Sequence, residues 1–341
     1  MFAQHGSKDQ SLLEAHDDLI ETMPILVLNV HSRCNCRCLM CDIWKRDEAA
    51  EITAATLERH RESLRRLRVE WVVLTGGEPL MHSDLSSLCA FLRELDVRLT
   101  LLTTGLLLSR RAAEVAMLFD DVIISLDGPR SVHDAIRRVK GSFDLIQSGV
   151  SELRERRPDI RVSARTTVQR MNHSSLRATV LAAKELGLDG ISFLAADLTS
   201  EAFNRPLLWP TEKQNEVGLS IEEVSALEDE LEALIVTFHD DLLKGYIAES
   251  AAKLRKIASH FRAHLGLASA LSPRCNAPWV SAVVETNGAV RPCFFHQPIG
   301  NLQDASFEEI INGEAAQAFR RRLDVATNPV CRNCVCSLYR A

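Results

Sequence analysis

Short apolar runs alternate with amphipathic stretches between residue 24 and about residue 195. The apolar runs that predict strands cover residues 25–29, 71–75, 98–103, 121–125, 160–168 and 190–194. Apolar residues at helical spacing predict helices near residues 54–67, 84–95, 110–118, 142–156 and 174–186. Because the units repeat about every 30 residues, the pattern indicates six β–α repeats, a parallel sheet and right-handed crossovers. The periodicity leaves open whether the sheet closes like a barrel.

The alternation of strands and helices ends at about residue 198, and predicted helices then follow one another without a strand between them. Thr211 with Gln214 and Ser220 with Glu223 both fit the capping-box pattern, and the second begins a long helix. A further helix is predicted over residues 241–265. After residue 272, the runs 281–285 and 289–292 flank Asn287-Gly288, which predicts a β-hairpin. A last capping box, Ser306 with Glu309, begins a helix before the C-terminal cysteines.

Composition and charge narrow the class of protein. With 46% apolar and 25% charged residues, the chain has the composition of a globular protein with a sizeable core. A net charge of −6 without a long basic block disfavours nucleic-acid binding by phosphate neutralisation. The apolar run at residues 23–30 is too short to span a bilayer, and no signal peptide precedes it. We therefore expect a cytoplasmic protein that binds no nucleic acid and has no transmembrane segment. The predicted divisions are an N-terminal extension (1–22), a β–α core (23–197), a helical connector (198–270) and a cysteine-rich domain (271–341).

The ten cysteines are strongly clustered. Four lie within residues 34–41 and five within the last 67 residues, while Cys89 stands alone in an apolar run and is expected in the core. Clusters of this kind in a cytoplasmic chain favour metal ligation over disulfides.

The first group, Cys34, Cys38 and Cys41, forms C-x3-C-x2-C directly after the first predicted strand. Three thiolates on one loop can ligate three irons of a 4Fe–4S cube and leave the fourth iron open to another ligand. A zinc site is the alternative, although zinc commonly takes four ligands from two evenly spaced pairs. Cys36 lies inside this group and is interpreted as a packed thiol.

Two further motifs follow predicted strands. Thr75-Gly76-Gly77-Glu78-Pro79 ends the second strand, with glycines that permit close backbone approach and a carboxylate that can hold an ammonium group. Ser125-Leu126-Asp127-Gly128 ends the fourth strand, where a hydroxyl and a carboxylate could bind ribose hydroxyls. Either motif alone is also explained by ordinary turn chemistry.

Together, the cysteine motif, Gly-Gly-Glu-Pro and Ser-x-Asp-Gly resemble the radical S-adenosylmethionine (SAM) superfamily over residues 24–195. The resemblance implies a partial (β/α)6 barrel and a 4Fe–4S cluster on Cys34, Cys38 and Cys41, with SAM bound to the open iron. It implies that the Gly76-Gly77-Glu78-Pro79 turn receives the methionine amino group. Ser125 and Asp127 would hold the ribose, and Arg165 would lie near the methionine carboxylate.

The C-terminal cysteines resemble the SPASM/twitch extensions of that superfamily. Cys275 is followed by twelve residues, Gly288, four more residues and Cys293, and the chain then ends in Cys331-x2-Cys334-x-Cys336. The resemblance implies an auxiliary 4Fe–4S cluster on Cys275, Cys293, Cys331 and Cys334, with Cys336 as an alternative to Cys334. A structural zinc ribbon is the competing interpretation. His296 is a candidate hydrogen-bond partner of this cluster or of a ligand, with a surface position as the ordinary alternative.

The resemblance implies an enzyme that cleaves SAM reductively to a 5′-deoxyadenosyl radical, which abstracts hydrogen from a small metabolite or a ribosomal peptide. Such a reaction requires a reducing partner such as flavodoxin or ferredoxin. The competing hypothesis is a non-catalytic, zinc-stabilised scaffold or interaction protein.

Overall fold

The structure, a computed structural model, describes residues 19–205, 208–270, 273–336 and 338–340. Its strands are β1 (Ile25–His31), β2 (Trp71–Gly76), β3 (Arg98–Thr103), β4 (Asp121–Ser125), β5 (Arg161–Val168), β6 (Gly190–Ala195), β7 (Ser281–Val284), β8 (Ala289–Arg291) and β9 (Gly300–Asn301). They form one sheet in the order β6-β5-β4-β3-β2-β1-β7-β8-β9.

The helices follow the strands in alternation up to β6 and then succeed one another. The α-helices of the described residues are α1 (Ala54–Glu58), α2 (Arg61–Arg66), α3 (Leu85–Arg93), α4 (Leu108–Leu118), α5 (Arg130–Arg137), α6 (Ser142–Arg156), α7 (Leu176–Glu185), α8 (Thr211–Val217), α9 (Ile221–Thr237), α10 (His239–Leu243), α11 (Ala251–His264), α12 (Ala277–Val280), α13 (Phe307–Asn312), α14 (Glu314–Arg322) and α15 (Pro329–Arg332). Two 3₁₀ helices cover Ile43–Lys45 and Pro79–Met81.

The predicted parallel sheet of six strands is confirmed. Strands β1 to β6 pair with one another in parallel and in chain order, which is the arrangement of an α/β partial barrel. In the described residues, β6 pairs on one side with β5 and on the other with a single bridge from Ile191 to Ile247. The sheet therefore stays open.

Each core strand has one buried face and one face toward a cavity. On β1, Leu26 and Leu28 are fully buried in the core, whereas Val27 and Asn29 line the cavity. Successive side chains of a strand point to opposite faces of the sheet, so alternate positions reach the cavity. The loops that follow the parallel strands all leave at the same edge, which brings the sequence motifs together.

Most predicted helices are present, with three differences. The helix predicted over 54–67 is interrupted between α1 and α2, and the one over 241–265 ends at α10 and resumes at α11 after the Ile247 bridge. Helices α5, α12 and α15 were not predicted. The capping boxes of Ser220 and Ser306 are confirmed. The one at Thr211 is wrong, because Pro210 is the N-cap of α8 and no side chain caps it.

The predicted hairpin is confirmed as β7 and β8, which pair antiparallel and are extended by β9. The sequence did not predict its place in the molecule. Strand β7 pairs in parallel with β1, from Ile25 opposite Ser281 to Leu28 opposite Val284. The C-terminal segment therefore continues the core sheet on the side of the strand that precedes the first cysteine group.

Candidate functional site

One cavity of about 1180 Å³ lies at the edge of the sheet where the parallel strands end. Its lining includes cysteines of both groups, namely Cys34, Cys38, Cys41, Cys275, Cys293, Cys331, Cys334 and Cys336. The sequence separates these groups by more than 200 residues, and the pairing of β7 with β1 brings them to a common space. All ten cysteines of the chain are free thiols.

The two glycines after β2 hold the first cysteine loop in place. The Gly77 N–H donates to the His31 carbonyl at 2.8 Å, and the Glu78 N–H donates to the Arg33 carbonyl at 2.9 Å. A Cβ atom on Gly77 would lie 1.9 Å from the Arg33 carbonyl oxygen. Gly76 has a φ of +125°, in the region that favours glycine. Both glycines also line the cavity, so the turn serves the loop and any ligand beside it.

A buried ion pair supports the loop from α5. The Arg137 guanidinium lies 2.6 Å from the Asp127 carboxylate, and its Nη1 donates to the Cys38 sulfur at 3.5 Å. The carbonyls of Ile136 and Arg137 accept the N–H groups of Leu39 and Arg37. The pKa of Cys38 is lowered to about 7 by a hydrogen bond from the Cys36 thiol and by the Arg137 charge, whereas burial acts in the opposite direction. Helix α5 thus places a cation beside a predicted iron ligand.

A second buried cation lies on the other side of the loop. Arg205 pairs with Asp197 at 2.7 Å, donates to the Met40 carbonyl at 3.1 Å and stacks over the Trp209 ring at 3.6 Å. The Trp209 indole N–H donates to the Asp42 carboxylate at 2.8 Å. The Cys41 thiol is within reach of the Arg205 charge, although burial dominates and raises its pKa to about 12. The segment after β6 therefore contacts the end of the cysteine loop and holds it in place.

The Glu78 carboxylate is completely buried and does not line the cavity. Its Oε1 accepts from the Leu80 N–H at 3.0 Å and the Thr103 hydroxyl at 2.7 Å. Its Oε2 accepts from the N–H of Thr104 at 2.7 Å and from the hydroxyl of that residue at 2.6 Å. These donors occupy the carboxylate, so the geometry assigns Glu78 a positioning task between the ends of β2 and β3. Pro79, also buried, begins the adjoining 3₁₀ helix.

The predicted SAM contacts divide into two sets. Gly76, Gly77, Ser125 and Arg165 line the cavity. Asp127 does not: it is fully buried, pairs with Arg137 and accepts the Thr167 N–H at 3.0 Å. Direct contact of Glu78 and Asp127 with SAM remains a prediction, and their surroundings in the structure favour support of the neighbouring loops instead.

The C-terminal cysteines converge from three places in the chain. Burial, together with the neighbouring charges of Cys293 and Cys275, raises the pKa of Cys331 to about 12. Cys334 is likewise within electrostatic reach of Cys293, Cys275 and Cys336. The His296 Nε2 atom lies 3.4 Å from the Cys331 sulfur, which is the contact considered from the sequence. Cys334 and Cys336 both line the cavity, so the fourth ligand stays a prediction.

Single-metal geometry is not preformed at either cysteine group. Within the described residues, no three His, Cys, Asp or Glu side chains converge closely enough to hold one metal ion. A zinc ion would need each sulfur at about 2.3 Å. Two sets of thiols that face one cavity, with cations beside the first set, fit the larger iron–sulfur cubes. No helix in the described part of the chain is long and apolar enough to cross a membrane.

Sequence reasoning missed the two buried cations. Arg137 lies on α5, whose sequence offers few apolar residues, and Arg205 lies in a segment without regular structure. The sequence feature that could have identified Arg137 is its position at the end of the short helix that follows the Ser-x-Asp-Gly motif. No local signal identifies Arg205.

Comparison with family models gives two matches. One model, described as the radical SAM superfamily, matches residues 28–183, and another, described as an iron–sulfur cluster-binding domain (SPASM), matches residues 275–335. Together, the two matched segments make up more than half of the chain.

Relatives by sequence include enzymes of several named activities. The chain is 28% identical over 304 residues to Fe-coproporphyrin III synthase of Methanosarcina barkeri, which covers 84% of this chain and 73% of the relative. It is 34% identical over 170 residues to pre-heme d1 synthase of Dinoroseobacter shibae, with coverage of 49% and 42%. It is 24% identical over 290 residues to the subtilosin biosynthesis protein AlbA of Bacillus subtilis, with coverage of 82% and 57%.

Solved structures share the fold. SuiB of Streptococcus suis bound to its precursor peptide SuiA superposes with a TM-score of 0.64 at 14% identity, covering 94% of this chain and 73% of SuiB. The enzyme anSMEcpe with bound AdoMet superposes with a TM-score of 0.62 at 18% identity, covering 86% and 82%.

Proposed function

Since this chain belongs to the radical SAM superfamily and carries a C-terminal SPASM domain, we propose that it modifies a small molecule or a peptide held between its two cysteine groups. Membership makes the chain an enzyme with a SAM-binding 4Fe–4S cluster and auxiliary iron–sulfur chemistry, and removes support for a zinc-stabilised scaffold. The observation that carries the proposal is that both cysteine groups line the same cavity. When bound, the cluster and SAM supply the 5′-deoxyadenosyl radical that abstracts hydrogen from the substrate.

The residues of the chain divide the remaining work. Cys34, Cys38 and Cys41 ligate the first cluster, and the backbone of Gly76 and Gly77 receives the methionine end of SAM. Ser125, at the end of β4, faces the same space and contacts the ribose. Arg137 and Arg205 supply positive charge beside the thiolates, which lowers the electrostatic cost of gathering them around a negatively charged cluster.

The C-terminal cysteines form a second part of the cavity wall. Cys275, Cys293 and Cys331, with Cys334 or Cys336, ligate the auxiliary cluster, and His296 lies against one of these ligands. These residues would hold a cluster able to supply an electron acceptor for the substrate, and they would place the substrate against the radical. The named relatives include an Fe-coproporphyrin III synthase and a bacteriocin biosynthesis protein, and SuiB was solved with a precursor peptide, so both substrate classes are carried forward.

The reaction also needs an electron for the first cluster. We propose a low-potential donor such as reduced flavodoxin or ferredoxin as the partner. Ten free cysteines suit a reducing compartment, which supports the cytoplasm as the place of action.

The test is anaerobic reconstitution followed by reduction in the presence of SAM. We expect about eight irons per chain, as two cubes of four, and release of 5′-deoxyadenosine. The triple variant Cys34→Ala, Cys38→Ala, Cys41→Ala should keep about four irons. It should release no 5′-deoxyadenosine. The matched control is Cys89→Ala, a cysteine buried in the core away from both groups, which should keep all irons. Release of 5′-deoxyadenosine by the triple variant would overturn the proposed function.

A further inference from the structure

The phenylalanines of the chain divide between the core and the cavity. Most of those in the described residues are buried in the core. The described phenylalanines that stay partly exposed are Phe203, Phe294, Phe295 and Phe319. The first three line the cavity, and Phe319 lies against the ring of His296, which also lines it. A partly exposed ring keeps apolar surface in water, which is unfavourable unless another apolar group covers that surface.

The three cavity-lining rings contact one another. The ring centroids of Phe203 and Phe294 lie 6.3 Å apart with an angle of 22° between the planes, which is a stacked arrangement. Those of Phe203 and Phe295 lie 6.1 Å apart at 79°, which is an edge-to-face arrangement. Aromatic pairs prefer these two geometries. We call Phe203, Phe294 and Phe295 the aromatic group.

The aromatic group connects the two cysteine groups. Phe294 and Phe295 directly follow Cys293 of the C-terminal group. Phe203 lies in the segment after β6, and its carbonyl accepts the N–H of Asp42, the residue that follows the first cysteine group, at 3.3 Å. Because the proposed function holds the substrate between the two cysteine groups, the aromatic group lies beside that position.

The backbone at Phe203 adopts an uncommon conformation. Phe203 and Asn204 have φ angles of +60° and +64°, in the left-handed region that residues other than glycine rarely adopt. The Asn204 side chain fixes this turn, because it donates to the Asp42 carbonyl at 3.0 Å and accepts from the Arg46 Nε at 2.7 Å. Such conformations are unfavourable and are concentrated at functional sites. The turn therefore holds the Phe203 ring against the C-terminal segment.

The charged neighbours of the aromatic group already have partners. Arg205 pairs with Asp197 at 2.7 Å, and the Glu201 carboxylate accepts from the Gln297 amide at 2.8 Å. The aromatic group itself offers ring faces and edges to a ligand. An aliphatic ligand would gain only the burial of apolar surface there, whereas an aromatic ring would also gain stacked or edge-to-face contacts.

We propose that the aromatic group binds a flat, apolar ring system of the substrate between the two cysteine groups. The inference rests on the proposed function and adds a substrate class, a molecule or peptide that carries an aromatic ring. A peptide supplies such a ring as a side chain, and a small molecule supplies it as a conjugated ring system. The three phenylalanines determine specificity by placing the ring, and they take no part in hydrogen abstraction.

The test compares two compounds with the same carbon skeleton, 2-naphthalenemethanol and its saturated form, decahydro-2-naphthalenemethanol. Each is titrated into the reconstituted enzyme with both clusters and saturating SAM, and binding is measured by anaerobic calorimetry. We expect the aromatic compound to bind about two- to tenfold more tightly than the saturated one. Phe203→Leu, Phe294→Leu and Phe295→Leu each keep an apolar side chain without a ring, and each should lower this preference.

Two control variants complete the design. Phe203→Tyr retains the ring and should retain the preference. Phe319→Leu removes a partly exposed ring that does not line the cavity, and it should also retain the preference. SAM affinity and iron content should be unchanged in all five variants.

Two further ligands distinguish the sources of the ring. N-acetyltryptophanamide represents an aromatic side chain of a peptide, and deuteroporphyrin represents a conjugated ring system of a small molecule. The ligand whose binding weakens in the three Leu variants identifies the source.

Four results would overturn the inference. They are equal binding of the aromatic and saturated compounds by the unchanged enzyme, a preference that survives all three Leu variants, loss of iron from those variants, and no effect of those variants on the binding of either further ligand. The third would assign the aromatic group to cluster assembly. Release of 5′-deoxyadenosine without substrate tests the proposed function separately, because it does not depend on these ligands.

Discussion

Replacing Glu78 by Gln should destabilise the core without weakening SAM binding directly. The two carboxylate oxygens each accept one backbone N–H, from Leu80 on one side and Thr104 on the other. An amide has one oxygen, so whichever way the Gln side chain turns, one of these buried N–H groups loses its acceptor. Leaving a buried donor unpaired costs about 1–3 kcal/mol. Glu78→Ala leaves both donors unpaired and should cost about twice as much, roughly 2–6 kcal/mol.

Thermal unfolding of the anaerobic holoenzyme measures this loss. In a domain of 150–250 residues, about the size of the core, each kcal/mol lowers the melting temperature by roughly 2–4 °C. The matched control is Glu51→Gln: Glu51 also accepts a backbone N–H, that of Ser83 at 2.9 Å, but its side chain is 20% exposed and water can replace it. That variant should shift the melting temperature by less than Glu78→Gln.

The SAM dissociation constant decides between the two roles of Glu78. Because the carboxylate does not face the cavity, Glu78→Gln should change SAM affinity by less than about threefold, well below the roughly tenfold loss expected from a lost charge-assisted bond. An unchanged melting temperature with SAM binding weakened tenfold or more would refute this reasoning. It would show that the carboxylate turns outward to bind the methionine amino group.

Three further predictions follow from the same geometry. Gly77→Ala should abolish the first cluster, since the new Cβ would lie 1.9 Å from the Arg33 carbonyl oxygen; iron content should fall by about half. The double change Cys275→Ala, Cys331→Ala should also halve iron, expose residues after 273 to proteolysis and spare substrate-free SAM cleavage, because the auxiliary cluster closes a long loop. Burial lowers the pKa of His133 to about 4, so its contribution to folding stability should be lost progressively below about pH 6.5, and the loss should amount to about 1.4 kcal/mol by pH 5.5, in addition to the loss from His260, whose pKa burial also lowers to about 4.

Each of these has a control and an opposing outcome. Gly187→Ala, where no atom lies within 4 Å of the added Cβ, should keep its iron; full iron in Gly77→Ala would show that the cysteine loop can move away. Undiminished substrate turnover with the auxiliary cysteines removed would make them dispensable. His133→Asn keeps an acceptor for the Asp127 N–H at the position of Nδ1 and should reduce the loss of stability between pH 7.5 and 5.5, measured by urea unfolding, by about 1.4 kcal/mol, while the loss due to His260 remains. An unaltered profile would exclude His133 as the titrating group.

Local pattern was sufficient for the core strands. Apolar runs bounded by turn residues predicted β3 and β4 at the observed residues, and the other four strands to within two residues of each end. Their parallel order followed from the helices between them. The cysteine motifs were also visible, because metal-ligand spacing is a property of the chain and not of its packing.

Contacts between segments that lie far apart in the sequence could not be predicted from it. Helix α5 has few apolar residues, and its importance lies in Arg137, whose partners Asp127 and Cys38 become neighbours only after folding. The sequence suggested Glu78 as a ligand for an ammonium group because three of its four donors belong to Thr103 and Thr104, at the end of β3, and become its neighbours only after folding. The pairing of β7 with β1 had no sequence signal, since any exposed strand edge can accept a matching strand.

That pairing has a consequence for how the two domains can be separated. Strand β1 lies between β2 and β7, so a chain cut after residue 270 would turn an interior strand into an edge. The peptide groups of residues 25–28 would then face water without partners, next to apolar side chains that favour pairing with another chain. The predicted core and the cysteine-rich domain are thus unsuited to exchange as independent modules. A hybrid enzyme assembled from two relatives would first have to preserve the pairing of β1 with β7, and only then could its catalysis be tested.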